Sequence, residues 1–209
     1  MRENFFKFLG FWVFQMIWVF IVSIPCTLIN SPIYSKQEDF GNALDIIGII
    51  LFCIGLVIEA IADQQKFKFN NNRKDRLDIM NSGLWYYSRH PNYFGEIVCW
   101  WGIFLLSLGT LVYANDQSTI WAGILSPLLT MCLLLFLSGI PQSEPGKDRK
   151  MLEKGSSEQK QEYFKYLNST SPVIPLPPTV YSNIPMFLKR IFFFEFPFYR
   201  FKEVQTPLI

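Results

Sequence analysis

The amino-acid sequence predicts an all-α membrane protein, a polytopic bundle of about four transmembrane helices followed by a cytoplasmic interfacial C-terminal segment. Three observations predict this class. Half of the residues are hydrophobic and 17% are aromatic, while only 17% are charged, against roughly 25% in soluble domains. The apolar residues form stretches of about 20, the length that a bilayer-crossing helix needs. The charged residues are concentrated between those stretches.

Four stretches have the length and apolar character of a membrane span. They cover about residues 8–29, 44–62, 93–113 and 119–140, and the first ends at the breaker Asn30-Ser31-Pro32. We interpret the first stretch as a span and not as a signal peptide. Its apolar core is longer than a signal h-region, and no small-residue cleavage site follows it.

Basic residues fall in alternate connections, and this pattern predicts the orientation. Two precede the first stretch, six lie between the second and third, and six lie between 141 and 170, whereas the other two connections hold only Lys36. Basic loops face the cytoplasm, so both termini are predicted to be cytoplasmic. The sequon at Asn168 then receives no glycan. The protein is predicted to be a multi-pass integral membrane protein, and in a eukaryotic cell it is expected in the endoplasmic reticulum.

The C-terminal part of the sequence does not predict another span. Residues 174–178 are rich in proline and cannot be helical throughout. Residues 187–201 are dense in Phe but carry Lys189, Arg190, Glu195 and Arg200. Such a segment is too short and too charged to cross the bilayer, so we expect it to lie at the interface. There are no internal repeats, and residues 1–209 are predicted to form one membrane domain.

Three acidic residues lie at the predicted edges of spans. Glu59 and Asp63 share one face near the end of the second span, and Glu96 lies near the start of the third. Acids at such positions are costly, and they usually face a polar cavity or a partner. The alternative is that they hold helix ends together by pairing with a base, namely Lys66, Lys68 or Arg89.

The segment from Arg89 to Tyr93 is the densest in hydrogen-bonding groups. Pro91 suits the first turn of a helix, whose free N–H groups can face an anion. Arg89 could add a bidentate contact to a phosphate. His90 is the only histidine of the chain, which excludes a multi-histidine metal site and, with it, the iron-dependent lipid desaturases and hydroxylases.

Other common site patterns are absent from the sequence. None of the four cysteines has CxxC spacing, so neither a zinc site nor a disulfide framework is indicated, and no metal ligand is predicted. The chain has no GxGxxG and no GxxxxGK[ST] motif. A dinucleotide bound by this chain would therefore use neither a Rossmann turn nor a P-loop. We expect no nucleic-acid partner.

The central polar segment closely resembles the signature of a membrane-protein family. The matching run is 83–96, GLWYYSRHPNYFGE, followed by Trp100-Trp101-Gly102. It resembles the steroid 5-alpha-reductase-like family, an uncharacterised branch of the superfamily of steroid 5-alpha-reductases, sterol reductases and isoprenylcysteine carboxyl methyltransferases. Residues 62–67, 138–141 and 162–166, the last leading to 174–178, match it too. The resemblance implies that the chain corresponds to the C-terminal part of these proteins, and the early helices of longer members are then expected to have no counterpart in residues 1–209.

The resemblance implies a helical membrane fold whose cytoplasmic loops and last helices enclose a nucleotide cofactor. In the reductases the cofactor is NADPH, and a hydride passes to a carbon–carbon double bond of an apolar lipid. Glu96 matches the acid that follows Gly in the reductases, and a protonated Glu96 or the Tyr93 hydroxyl would polarise a substrate carbonyl, so both are expected to be catalytic. Matching positions imply that Tyr93 also lines the cofactor pocket. They imply the following cofactor-binding residues: Asp63, Lys68, Arg89, His90, Asn92, Tyr163 and Tyr166. Residues 142–145 depart from the family pattern, since the acid is kept as Glu144 and a lysine is lost.

Three functions follow as expectations. The first is an NADPH-dependent membrane reductase of a lipid or steroid-like double bond. The second is a methyltransferase that uses S-adenosylmethionine, whose family members resemble the segment around His90 but usually lack the acid at position 96. This difference favours the reductase. The third is a non-catalytic, truncated membrane protein.

Overall fold

The structure of the protein is a computed structural model that describes residues 4–32, 40–113 and 117–201, without the side chains of residues 111–121. Within these ranges the chain forms helices and no strand, which confirms the all-α class. Eight α-helices are described: α1 (Phe5–Ile29), α2 (Ala43–Asn72), α3 (Pro91–Tyr113), α4 (Gln117–Cys132), α5 (Ile140–Lys154), α6 (Ser157–Ser169), α7 (Pro178–Ser182) and α8 (Met186–Phe192). Short 3₁₀ turns cover Gly83–Tyr86 and Pro197–Tyr199, and a π-helical segment covers Leu133–Leu137.

Four helical stretches are long and apolar enough to cross a membrane, as predicted. They are Phe5–Ile29, Ala43–Asn72, Pro91–Thr110 and Ala122–Lys154. The protein is therefore a multi-pass membrane protein. Of the basic residues used to predict its orientation, Arg2 and Lys36 lie outside the described residues.

Two helix ends differ from the prediction. Helix α2 continues ten residues beyond position 62, to Asn72. The predicted end marks where the apolar residues stop, whereas the backbone hydrogen bonds of the helix continue through the polar residues that follow. The fourth stretch ends at a break before Ile140, where α5 begins. A Cβ atom on Gly139 would clash with the Leu134 carbonyl oxygen, so this close approach needs glycine.

The chain divides into two compact units. That residues 1–209 form one membrane domain stays a prediction. The first unit comprises residues 1–53 and 97–131. In it α2 and α3 meet at glycines, since a Cβ on Gly48 would lie 2.8 Å from the Gly102 carbonyl oxygen. The Ser126 hydroxyl donates to the Val22 carbonyl at 3.0 Å, which joins α4 to α1.

The second unit comprises residues 54–96 and 132–209, and every predicted site residue belongs to it. The Trp85 indole N–H donates to the Ala62 carbonyl at 3.0 Å and fixes the 3₁₀ turn on α2. The Leu176 N–H donates to the Tyr87 carbonyl at 3.0 Å. Residues 174–177 are not helical, as expected from their prolines. These contacts place the polar segment before α3 against the chain that follows α6.

Candidate functional site

The segment Ser88-Arg89-His90 is buried although it is polar. The three residues are 0%, 3% and 3% exposed. The Arg89 N–H donates to the Ser171 carbonyl at 2.8 Å, and the Ser88 hydroxyl donates to the Val173 carbonyl at 2.7 Å. Because buried backbone groups need partners, these bonds let an irregular segment enter the interior. They fix the starting point of the Arg89 side chain.

Arg89 lies in a buried network of ion pairs. Its Nη2 donates to Glu195 Oε2 at 2.6 Å, and its Nε lies 3.4 Å from Glu144 Oε1. Arg200 joins the same two acids, with Nη2 3.1 Å from Glu195 Oε1 and Nη1 3.7 Å from Glu144 Oε2. Burial by itself would lower the pKa of Arg89, but Glu144 and Glu195 outweigh burial and raise it. Arg89 is therefore a permanent buried cation.

His90 connects this network to helix α3. Its Nε2 lies 3.2 Å from Glu144 Oε1, and its ring stacks on Tyr93 with centroids 4.9 Å apart. Burial lowers the pKa of His90 to about 4, against the opposing effect of Glu144. The imidazole is thus neutral at pH 7. Because an ionised carboxylate only accepts hydrogen bonds, Nε2 carries the hydrogen and donates a hydrogen bond to Glu144 Oε1.

Two tyrosines of α6 are fixed by hydrogen bonds. The Tyr163 hydroxyl donates to Asp148 Oδ1 at 2.7 Å, and the Tyr166 hydroxyl donates to the Trp85 carbonyl at 2.7 Å. The other oxygen of Asp148 accepts from the Phe201 N–H at 3.0 Å. Burial is the largest cause that raises the pKa of both tyrosines. Both hydroxyls therefore stay protonated and act as fixed donors.

A cavity of about 880 Å³, called here the basic cavity, lies beside these residues. This volume is in the range of roughly 300–1,000 Å³ that is typical of small-molecule sites. Seven cationic side chains line it against three acids, Asp75, Asp78 and Glu144. The cations are Lys66, Arg73, Arg76, Arg89, Lys147, Lys150 and Lys154. The excess of positive charge favours an anionic ligand.

Arg89, which lines this cavity, has a donor without a partner. Its Nη1 is buried and has no hydrogen-bond partner among the described residues. Buried polar atoms are normally paired, so an orphan on a cavity-lining residue needs an explanation. A guanidinium N–H is a strong donor to phosphate oxygens. A bound anion would provide the partner that this atom lacks.

The basic cavity gathers some of the predicted cofactor-binding residues and not others. Arg89, Tyr163 and Tyr166 line it. His90 is buried behind Glu144 and is not among the lining residues, and Asn92 is partly buried with Oδ1 unpartnered among the described residues. Asp63 and Lys68 are exposed and do not line the cavity, whereas Lys66 does. Lys66 lies two residues before Lys68 in α2, which is about 200° around the helix axis, so the two side chains leave the helix on different faces.

The two predicted catalytic residues lie on α3, near a second group of acids. A Cβ on Gly95 would lie 2.7 Å from the Gly55 carbonyl oxygen, so α3 and α2 approach closely at this turn. The charges of Glu59 and Asp63 act on Glu96. In the part of the chain that the structure describes, no ion pair involves any of these three acids. Arg89, which sequence analysis offered as a partner, pairs with Glu144 and Glu195 instead.

Sequence reasoning missed several residues of the site. Glu195, Arg200 and Asp148 complete the buried network, yet they come from segments with no family motif. The sequence did point to Glu144, because residues 142–145 depart from the family pattern and yet keep its acid at this position. The charges at 195 and 200 stand in a Phe-rich run, which was interpreted only as an interfacial segment.

A known protein family matches most of the chain. The family model described as "Protein of unknown function (DUF1295)" matches residues 1–170. The chain belongs to this family. Neither a curated protein nor a solved structure matches the chain. The DUF1295 match covers the helices from α1 to α6 and the segment that holds Arg89 and His90, while Glu195 and Arg200 lie beyond it.

Proposed function

We propose that this DUF1295 protein is an NADPH-dependent membrane reductase that acts on a carbon–carbon double bond of a lipid or steroid-like substrate. The observation that carries the proposal is the basic cavity, which seven cations line against three acids and whose lining residue Arg89 has an unpartnered Nη1. The resemblance to the steroid 5-alpha-reductase-like family supports the reaction type. Helices that can cross a membrane suit an apolar substrate that reaches the protein from the bilayer.

The charge of the cavity supports NADPH over S-adenosylmethionine. NADPH carries three phosphate groups, whereas S-adenosylmethionine has a sulfonium and an ammonium against one carboxylate. Seven cations and three acids attract the first and repel the second. The same argument supports NADPH over NADH, because the extra phosphate meets more of the surplus charge.

Each group of residues has a part in holding the cofactor. Arg89 would contact a phosphate through its guanidinium, and the three lysines of α5 that line the cavity, Lys147, Lys150 and Lys154, would add charge around it. Tyr163 and Tyr166 would present a rigid wall, because both hydroxyls are already bonded to the protein. NADPH supplies a hydride when it is bound. The fixed surroundings would restrict where that hydride can go.

Tyr93 and Glu96 are proposed to act on the substrate. Reduction of an enone needs a donor that stabilises the developing charge on the carbonyl oxygen. The Tyr93 hydroxyl or a protonated Glu96 would be that donor. Tyr93 stacks on His90, which is bonded to Glu144, and Glu144 contacts Arg89 on the cavity wall. This series of contacts gives Tyr93 a fixed position relative to the cofactor cavity.

Titration of the purified full chain in detergent with NADPH, NADH and S-adenosylmethionine tests the proposal. We expect the tightest binding for NADPH, followed by NADH. Lys150→Gln should weaken NADPH binding about 5-fold, the effect of roughly 1 kcal/mol for one exposed charge. Lys160→Gln, the same change outside the cavity lining, is the matched control. A preference for S-adenosylmethionine would favour the methyltransferase function. If neither NADPH nor S-adenosylmethionine binds, both functions are excluded.

A further inference from the structure

A second cavity, called here the tail cavity, lies among α6, α7, α8 and the segment 195–200, and its volume is about 900 Å³. Four cations, Lys165, Lys189, Arg190 and Arg200, line it against one acid, Glu195. Glu195 is already bonded to Arg89, Arg200 and the Tyr181 hydroxyl. The tail cavity therefore keeps a surplus of positive charge. It shares only Leu167 with the basic cavity.

Lys189 is the buried cation of the tail cavity. It is 7% exposed, and its ammonium lies 4.4 Å from the centroid of the Tyr181 ring. Its hydrogen bond to the Asn168 carbonyl is long, at 3.5 Å, although an ammonium has three donors. Burial lowers the pKa of Lys189, with Glu195 acting in the opposite direction. An anion in the cavity would give this lysine a full counter-charge.

The surroundings of the tail cavity are apolar and exposed. Helix α8 presents exposed side chains beside Lys189 and Arg190, among them Phe187 at 69%, Ile191 at 51% and Phe192 at 59%. The Phe196 and Phe198 rings lie 5.4 and 6.1 Å from the ring of Phe136. Phe136 belongs to the fourth apolar helical stretch, near the break that ends its apolar part. The tail cavity thus adjoins the point where a predicted span leaves the bilayer.

We propose that the tail cavity binds the phosphate-bearing headgroup of an anionic phospholipid from the surrounding bilayer. Basic side chains next to exposed apolar ones are the pattern that recognises an anionic membrane surface. Lys189, Lys165 and Arg190 surround the phosphate, and the exposed side chains of α8 lie against the acyl chains. This site is distinct from the basic cavity, because the two linings share only Leu167.

The proposal is tested with the full chain purified in a zwitterionic detergent. Short-chain phosphatidic acid and phosphatidylcholine of equal chain length are titrated, and bound lipid is counted by native mass spectrometry. We expect one tightly held phosphatidic acid and no comparable phosphatidylcholine. Lys189→Gln should weaken the binding roughly 5-fold or more, since each basic residue near an anionic headgroup contributes about that factor. Lys74→Gln, at an exposed site outside the tail cavity, should have little effect.

A second variant keeps the test valid if the buried Lys189 is needed for folding. Lys165→Gln combined with Arg190→Gln changes only exposed side chains and should weaken phosphatidic acid binding roughly 20-fold. Equal binding by this variant and the wild type would overturn the proposal. Displacement of the lipid by an equal concentration of inorganic phosphate would also overturn it, in favour of a free-phosphate site. Displacement by NADPH would assign the lipid to the basic cavity instead.

Discussion

Two groups of carboxylates lie in the same compact unit and differ in what balances their charge. Glu144, Asp148 and Glu195 are bonded to arginine, histidine or tyrosine side chains and form a closed network around Arg89. Glu59 and Glu96 lie where α2 and α3 meet, and no cation pairs with them in the described part of the chain. The negative charge of the first group is balanced by ion pairs and hydrogen bonds, and the charge of the second group is not.

Whether an acid has an ionic partner helps to distinguish acids that stabilise the fold from acids that act on a ligand. A buried carboxylate with ionic partners is explained by the charge that it neutralises. An acid at the edge of a span without such a partner raises the energy of the fold, and such acids tend to mark functional sites. Glu144 is therefore the acid that holds the site together, and Glu96 is the better candidate for a reacting group.

The largest expected effect is on stability, at Glu144. Glu144→Gln removes a charge that faces Arg89, His90 and Arg200. Breaking one side of a buried ion pair costs about 3–5 kcal/mol. We expect that loss in the free energy of unfolding, measured in detergent with a denaturant. Glu96→Gln is the matched control and should show no comparable loss, because Glu96 has no cationic partner among the described residues. Equal losses at the two positions would remove the distinction between the groups.

The next effect is on turnover, at Glu96. If Glu96 hydrogen-bonds or protonates the substrate, Glu96→Gln should lower turnover roughly 10²-fold, which is typical of a general acid. NADPH affinity should barely change, because Glu96 does not line the basic cavity. Glu158→Gln, an exposed acid at the start of α6, serves as the control. Near-normal turnover per folded molecule would return Glu96 to a structural role.

The third effect is a pH dependence from His90. Its folded-state pKa of about 4 lies below the ordinary 6.5. Between these values the unfolded chain takes up a proton that the folded chain does not. The contribution of His90 to stability is therefore complete above pH 6.5 and is lost towards pH 4, by about 2 kcal/mol between pH 7 and pH 5. Thermal unfolding across this range measures the fall, and His90→Asn should flatten it. Since the chain has one histidine, NMR can follow the imidazole directly, and titration near 6.5 would contradict the prediction.

The smallest effect distinguishes two lysines of α2. Lys66 lines the basic cavity and its ammonium lies 5.3 Å from the centroid of the Trp85 ring, whereas Lys68 is exposed and outside the lining. Lys66→Gln should weaken NADPH binding about 5-fold, and Lys68→Gln less than about 2-fold. The reverse order would restore Lys68 as the cofactor contact that the family resemblance implied.

The sequence predicted the membrane helices well and the network around Arg89 only in part. The spans follow from hydropathy, which acts locally, and their starts agree with the structure within about three residues. Arg89 and His90 were found because their motif is contiguous. Their partners were not, because Glu195 lies 106 positions from Arg89 and Glu144 lies 54 positions from His90. No periodicity or spacing links groups so far apart.

The sequence by itself determined that this protein is helical, belongs in a membrane, and concentrates its polar chemistry before α3. Those properties depend on which residues occur and on their local order. Only the tertiary structure decided that Arg89 is neutralised by Glu144 and Glu195, that Lys66 and not Lys68 lines the basic cavity, and that Glu96 has no basic partner among the described residues. The reason is physical. Charge compensation depends on distance and burial, and these are set when separate segments pack together.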